Sequence, residues 1–192
     1  MVVQEIFAQH LFSKCSLNFD TNYLNQLRAS IELIRRGDVQ GHRKSNIEFG
    51  WQSSDDLPQS GPFEILTQQI TKKAYEFCKN LKNFNFSKVE MESMWANINY
   101  EGDINWPHIH GSDIAGVFYV STNENCGDLV LNSYAYNEKE KLSNYLYRKN
   151  WVRINPINNL LVLFDSSCYH HVLKNHSKKP RVSISFNIKI HD

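Results

Sequence analysis

Three groups of residues have the types and spacing that metal and anion chemistry needs. The first lies in WPHIHGSDIAGVFYV, from Trp106 to Val120. In an extended segment side chains alternate faces, so His108 and His110 point the same way. Two imidazoles on one face can grip a single metal ion, and Asp113 is a candidate carboxylate ligand if the chain turns at Gly111. The second group is the adjacent pair His170 and His171, of which at most one faces a shared cavity if the chain is extended there. The third is Arg181, which opens the alternating segment RVSISFNIKI.

A ligand pair on one strand and a third ligand from a distant strand make an open metal site, and imidazole suits iron, zinc, copper and nickel. Two histidines and one carboxylate would leave three positions free on an octahedral iron, room for a chelating cosubstrate and dioxygen. Arg181, Ser183, Ser185 and Asn187 share one face of their strand, and Val182, Ile184, Phe186 and Ile188 share the other. A guanidinium buried inside so apolar a strand demands an anion. Next to a metal, it suggests a ligand chelated at one end and clamped through a carboxylate at the other, with Ser183 adding a hydroxyl donor.

These residues need a scaffold, and the pattern supplies one. Leu24, Leu27, Ile31 and Ile34 recur at helical spacing after Asp20, and Gly37 ends that helix. Pro62 opens a second helix whose stripe is Phe63, Leu66, Ile70, Ala74, Phe77 and Leu81. Between them, residues 37–61 read as a long loop with a short extended piece near Ile47–Trp51, and Trp51 reads as a core anchor. VQEIF near the start reads as a first strand. From Val89 onward the helical period disappears and about eight short strands follow: Val89–Tyr100, the histidine stretch running on to Ser121, Asp128–Asn132, Trp151–Ile154, Asn159–Phe164, His171–Lys174 and Arg181–Ile190 among them. Residues 133–150, part of them possible helix, read as a connection near the cavity mouth. Helices followed by strands, without βαβ alternation, predict an α+β or all-β barrel-like core rather than a parallel sheet. There is no glycine-rich phosphate loop and no internal repeat.

Composition narrows the classes further. The chain has 192 residues, 41% of them hydrophobic and 12% aromatic, enough for one domain with a real core. A formal net charge of +1 implies neither nucleic acid nor an anionic membrane as partner. No apolar run is long enough to cross a bilayer, and MVVQEIFAQHLF lacks the features of a signal peptide, so a cytoplasmic location is expected. Cys15, Cys78, Cys126 and Cys168 match no zinc-ribbon spacing and are expected as free thiols.

The motifs WQS (51–53), MWANIN (94–99), HIHGSDIAGVFYV (108–120), CGDLVL (126–131), LVLFDSSCYHHV (161–172) and RVSISFN (181–187) together resemble the iron(II)/2-oxoglutarate-dependent oxygenases, and within them a small family of putative 2OG-Fe(II) oxygenases. The resemblance implies an all-β core, a double-stranded β-helix or cupin-like jelly roll, braced by two N-terminal helices. It implies a single oxygenase domain over 1–192, with helical and loop support in 1–88 and the jelly roll in 89–190. It carries His108 over as first metal ligand, His170 as distal ligand, and Arg181 with Ser183 as the clamp for the distal carboxylate of 2-oxoglutarate. His110 stands where the wider superfamily usually has Asp or Glu, so the site is either a three-histidine variant or takes its carboxylate from Asp113. Tyr119, Asn97 and Asn99 are candidates to line the cavity. The implied reaction hydroxylates an unactivated carbon of an unidentified small molecule or protein side chain. It uses Fe(II), 2-oxoglutarate and molecular oxygen, and releases succinate and CO2. The alternatives are a cupin-like metal enzyme that does not use 2-oxoglutarate and a non-catalytic jelly-roll binding protein. The depth of Arg181 in the cavity separates the first from the oxygenase.

Overall fold

The two-residue alternation of the last strand has a direct structural meaning: each of its faces packs against a different layer. In the computed structural model, which describes residues 3–7, 10–42, 47–48, 50–57, 60–81, 84–132 and 151–192, this strand lies inside a seven-stranded antiparallel sheet. The elements in chain order are β1 (Val3–Phe7), β2 (His10–Ser16), α1 (Thr21–Gly37), β3 (Ile47–Glu48), β4 (Trp51–Gln52), α2 (Pro62–Lys79), β5 (Lys88–Asn99), β6 (Ile104–His108), β7 (Ile114–Ser121), β8 (Leu129–Asn132), β9 (Trp151–Ile154), β10 (Leu160–Asp165), β11 (Tyr169–Val172) and β12 (Arg181–His191). The large sheet runs β1-β2-β10-β7-β12-β5-β4, and a second, five-stranded sheet runs β3-β6-β11-β8-β9. This is the double-stranded β-helix with two bracing helices.

Both faces of the large sheet are covered, which is why its strands are apolar with little polar relief. Val182, Ile184, Phe186 and Ile188 of β12 share one cluster with Met94, Ala96 and Ile98 of β5, Phe118 of β7, and the helix residues Leu27, Ile31, Leu66 and Ile70. The opposite faces of β7 and β10 give Ala115, Val117, Tyr119, Leu160, Val162 and Phe164 to a second cluster, shared with Leu129 and Leu131 of β8. That second cluster fills the space between the sheets, and the cavity opens out of it. At Gly116 a Cβ would meet the Phe186 ring at 2.4 Å and Val162 O at 2.6 Å, so only glycine fits there.

Helix α1 begins where Asp20 caps it, its side chain accepting from Tyr23 N at 2.7 Å, and Arg35 and Arg36 face its C-terminal dipole. Helix α2 starts at Pro62 and stops at Lys79, short of Leu81. A fully buried Leu66 or Ile70 contributes about 2–3 kcal/mol, and truncating either to Ala would cost about 2–5 kcal/mol. Trp51 is core, as expected, and its indole N–H donates to Asp38 O at 2.7 Å. All four cysteines are free.

Two expectations change. The stretch from His108 to Ser121 is not one strand: β6 ends at His108 in the small sheet, and β7 starts at Ile114 in the large one. The chain crosses between sheets at 109–113. There Ser112 Oγ donates to Ile188 O at 2.7 Å, and Asp113 N donates to the same carbonyl at 3.3 Å. Upstream of residue 89, β1, β2 and β4 join the large sheet and β3 joins the small one, so the sheets draw on more of the chain than 89–190. The helical reading within 133–150 falls outside the described residues.

Candidate active site

β6 and β11 lie side by side, and their register pairs His108 directly with His170. His110 reaches the same place from the crossing segment, where its backbone N–H donates to Ser166 O at 3.0 Å. Ser166 grips that segment twice more, its N–H donating to Asp113 O at 3.3 Å and its hydroxyl donating to Ser112 O. The outcome is one cluster: the ligand nitrogens of His108, His110 and His170 all lie within 4.8 Å of one another.

The rings are oriented for lone-pair donation. His108 Nδ1 lies 2.7 Å from Trp106 O, and His170 Nδ1 lies 3.0 Å from Cys168 O. A carbonyl can only accept, so each Nδ1 carries the proton and each Nε2 keeps its lone pair. His110 Nε2 sits 3.2 Å from His170 Nε2. Two nitrogens each about 2.1 Å from one ion and at right angles across it would lie about 3 Å apart, so this pair has the spacing of neighbouring ligands. Trp95 packs against His110 with ring centroids 5.7 Å apart, and Phe164 meets His170 edge-on at 4.7 Å. Burial holds the His170 imidazolium far out of favour, helped by the nearby His108, and burial also lowers His108. Both are therefore neutral at pH 7, the form that binds metal.

These rings share one cavity, open to solvent, with side chains of the large sheet. β5 contributes Trp95, Asn97 and Asn99 to its wall, β7 contributes Tyr119, and β12 contributes Arg181, Ser183 and Ser185. Arg181 is 2% exposed. Its Nη1 donates to Cys126 O at 2.7 Å and Gly127 O at 2.9 Å, and among the described residues no carboxylate forms an ion pair with it. Burial pulls the guanidinium below its usual range, opposed first by Tyr119 and more weakly by Cys126, Asp103 and Asp128. Tyr119 is fully buried, and desolvation raises its phenol far above the usual value. Ser183 pairs across the sheet with both Asn97 and Tyr119, and Asn97 Nδ2 donates to Ser185 Oγ at 3.0 Å.

The remaining candidates lie elsewhere. The chain does turn near Gly111, but the Asp113 carboxylate accepts from Ile190 N at 2.8 Å and pairs with Lys189 Nζ at 3.1 Å, and it does not line the cavity. His171 faces away and contacts Asn132 Nδ2 at 3.0 Å. Asn187, on the arginine's face by parity, bonds Ser93 Oγ at 2.9 Å instead, beside a register shift at Asn187/Ile188. Sequence reasoning missed Trp95, although it shares parity with Asn97. It also missed the seat of Arg181 at Cys126–Gly127, which is made of backbone carbonyls and leaves no side-chain signature. Gly127 has φ +89°, and a Cβ there would come within 2.1 Å of Leu173 O and 3.0 Å of Arg181 Nη1.

The residues present fit the groups that such a site takes: three imidazoles for a first-row divalent metal, and a buried guanidinium in the same cavity for a carboxylate. Residues 93–187 match the family model described as "Putative 2OG-Fe(II) oxygenase", and this segment, which carries all four of those residues, belongs to that family. The protein is an iron(II)- and 2-oxoglutarate-dependent oxygenase, and so takes an oxidisable substrate and dioxygen. Solved structures share the fold. A prolyl-4-hydroxylase from Pseudomonas putida aligns with TM-score 0.66 at 13% identity, covering 94% of this chain and 91% of its own. The α-ketoglutarate-dependent carbocyclase SnoK from nogalamycin biosynthesis aligns with TM-score 0.71 at 9% identity, covering 94% and 79%. HygX from Streptomyces hygroscopicus, solved with nickel, 2-oxoglutarate and hygromycin B, aligns with TM-score 0.64 at 10% identity, covering 93% and 82%. No curated protein matches. Among the described residues no helix is long and apolar enough to cross a membrane.

Proposed function

We propose that His108, His110 and His170 hold one iron(II), and that Arg181 clamps the distal carboxylate of 2-oxoglutarate, with Ser183 and Tyr119 beside it and Asn97 further along the wall. In this assignment the whole chain acts as one oxygenase domain and hydroxylates an unactivated carbon of a small molecule or a protein side chain. One observation carries it: three imidazole ligand atoms within 4.8 Å of one another share a cavity with a buried arginine that has no carboxylate partner among the described residues. When bound, iron(II) supplies the redox chemistry that couples decarboxylation of 2-oxoglutarate to succinate and CO2 with transfer of one dioxygen atom to a C–H bond.

The protein's own part is binding and orientation. Trp106 O and Cys168 O hold the Nδ1 protons of His108 and His170, so Nε2 is the lone-pair nitrogen each ring would offer the metal. Arg181 sits in a rigid carbonyl seat, so its charge is in place before the anion arrives and little ordering accompanies binding. Phe164, Leu129, Val117 and Val172 line the cavity and keep water from its apolar walls. The test is substrate-uncoupled conversion of 2-oxoglutarate to succinate. Substituting His108, His170 or Arg181 by Ala is expected to abolish it, and normal turnover in Arg181→Ala would remove the clamp assignment.

A further inference from the structure

One polar atom in the cavity wall has no partner. Asn99 Oδ1 is fully buried and accepts no hydrogen bond. The residue is 1% exposed and lines the same cavity as Arg181. Everything else about it is fixed: its carbonyl accepts from Asn175 Nδ2 at 2.9 Å, and its own Nδ2 donates to Asn105 Oδ1 at 3.1 Å. Asn99 and Arg181 are direct partners across β5 and β12, so their side chains stand next to each other on the cavity face. A buried amide oxygen without a donor destabilises the fold, and an apolar residue would avoid that cost. Its place beside the guanidinium points to a ligand.

We propose that the Asn99 carboxamide is a second binding group for the carboxylate held by Arg181, and that Asn105 is the partner that lets it turn over. The proposal rests on the assignment of Arg181 as the anion clamp. A half-turn about the last side-chain torsion of Asn99 exchanges its oxygen and nitrogen. Asn105, half-buried and also lining the cavity, can do the same. The Asn99–Asn105 bond then survives with its direction reversed, Asn105 Nδ2 donating to Asn99 Oδ1. Asn99 Nδ2 now presents an N–H where the orphaned oxygen was. A carboxylate accepts that N–H alongside the guanidinium, and the unsatisfied atom disappears on binding. The amide adds a directed donor without adding charge, so it favours an acid with a carboxylate at the far end over one without.

The test is calorimetric titration of manganese(II)-loaded protein with 2-oxoglutarate, and with 2-oxobutyrate, which lacks the distal carboxylate. Asn99→Ala is expected to weaken 2-oxoglutarate by about 10- to 100-fold and to leave 2-oxobutyrate unchanged. Asn99→Asp, which keeps the shape but opposes one carboxylate with another, is expected to lose more. Melting of the ligand-free Asn99→Ala protein is expected to fall little, because removal of an unsatisfied buried atom offsets the lost bond to the half-buried Asn105 Oδ1. If Asn99→Ala and Asn99→Asp bind 2-oxoglutarate as the wild type does while Arg181→Gln does not, Asn99 has no part and the clamp stands. If Arg181→Gln also binds normally, the clamp assignment fails with it. Equal weakening of both acids would make Asn99 structural and overturn the proposal.

Discussion

Replacing Arg181 with Gln removes the charge at the base of the cavity but keeps a polar side chain that can still donate to Cys126 O or Gly127 O. The guanidinium is 2% exposed and forms no ion pair with a carboxylate among the described residues, where Asp103 and Asp128 act on it without direct contact, so a bound carboxylate would be its first ion-pair partner there. Two unit charges about 4 Å apart at an effective dielectric constant of about 20 attract by about 4 kcal/mol. Dehydration of both groups offsets part of this, and truncating one member of a buried charge pair costs about 2–5 kcal/mol in practice. Affinity for 2-oxoglutarate should therefore fall by about 30- to 5000-fold. Arg181→Lys keeps the charge but loses the planar fork, and should lie between wild type and Arg181→Gln. The assay is calorimetry of 2-oxoglutarate binding to manganese(II)-loaded protein, with urea midpoints as a control for folding. Wild-type affinity in a folded Arg181→Gln protein would refute the reasoning.

Three other outcomes follow from the same geometry. Gly127→Ala forces a side chain into a left-handed turn against Leu173 O and Arg181 Nη1. It should cost at least about 1–3 kcal/mol in urea unfolding and weaken 2-oxoglutarate binding as the arginine is displaced. Asp113→Asn should leave metal stoichiometry intact and lower stability by only about 1 kcal/mol, because its bonds to Ile190 N and Lys189 lie near solvent; loss of metal binding would reinstate it as a ligand. The pH dependence has a definite sign. His170 takes its proton near 6.5 when unfolded but well below that when folded, so between those values the unfolded chain binds more protons. Stability of the protein without metal should fall as pH drops below about 6.5, and melting temperatures equal at pH 5 and pH 7 would contradict this.

The elements that depend on period alone were legible in the sequence. The stripes of α1 and α2 and the alternation of β12 each follow from which face is buried, and β12 placed Arg181 and Ser183 on the cavity side. The convergence of His108 and His170 was a guess about distant strands, which only the register of β6 on β11 resolves. His110 was expected to face the cavity by strand parity, yet it reaches the cavity from a turn beyond the strand, held by Ser166. Asp113 illustrates the limit of spacing: a carboxylate near two histidines is a plausible ligand until a free backbone N–H on β12 is found to claim it. The Arg181 seat could not be read at all, because carbonyl acceptors carry no residue preference apart from the glycine that lets the turn form. β2 was missed because HLFSKCS has too few apolar residues to stand out, although Phe12 is fully buried.

The most direct measurement is anaerobic titration of the apoprotein with iron(II), followed by 2-oxoglutarate, read by calorimetry and visible absorption. One iron per chain is predicted, with a charge-transfer absorption that appears only when both are present. Ala at position 108, 110 or 170 should abolish both signals, while Asp113→Asn keeps them. Stoichiometric iron binding that survives loss of any of those histidines would contradict the assigned metal centre.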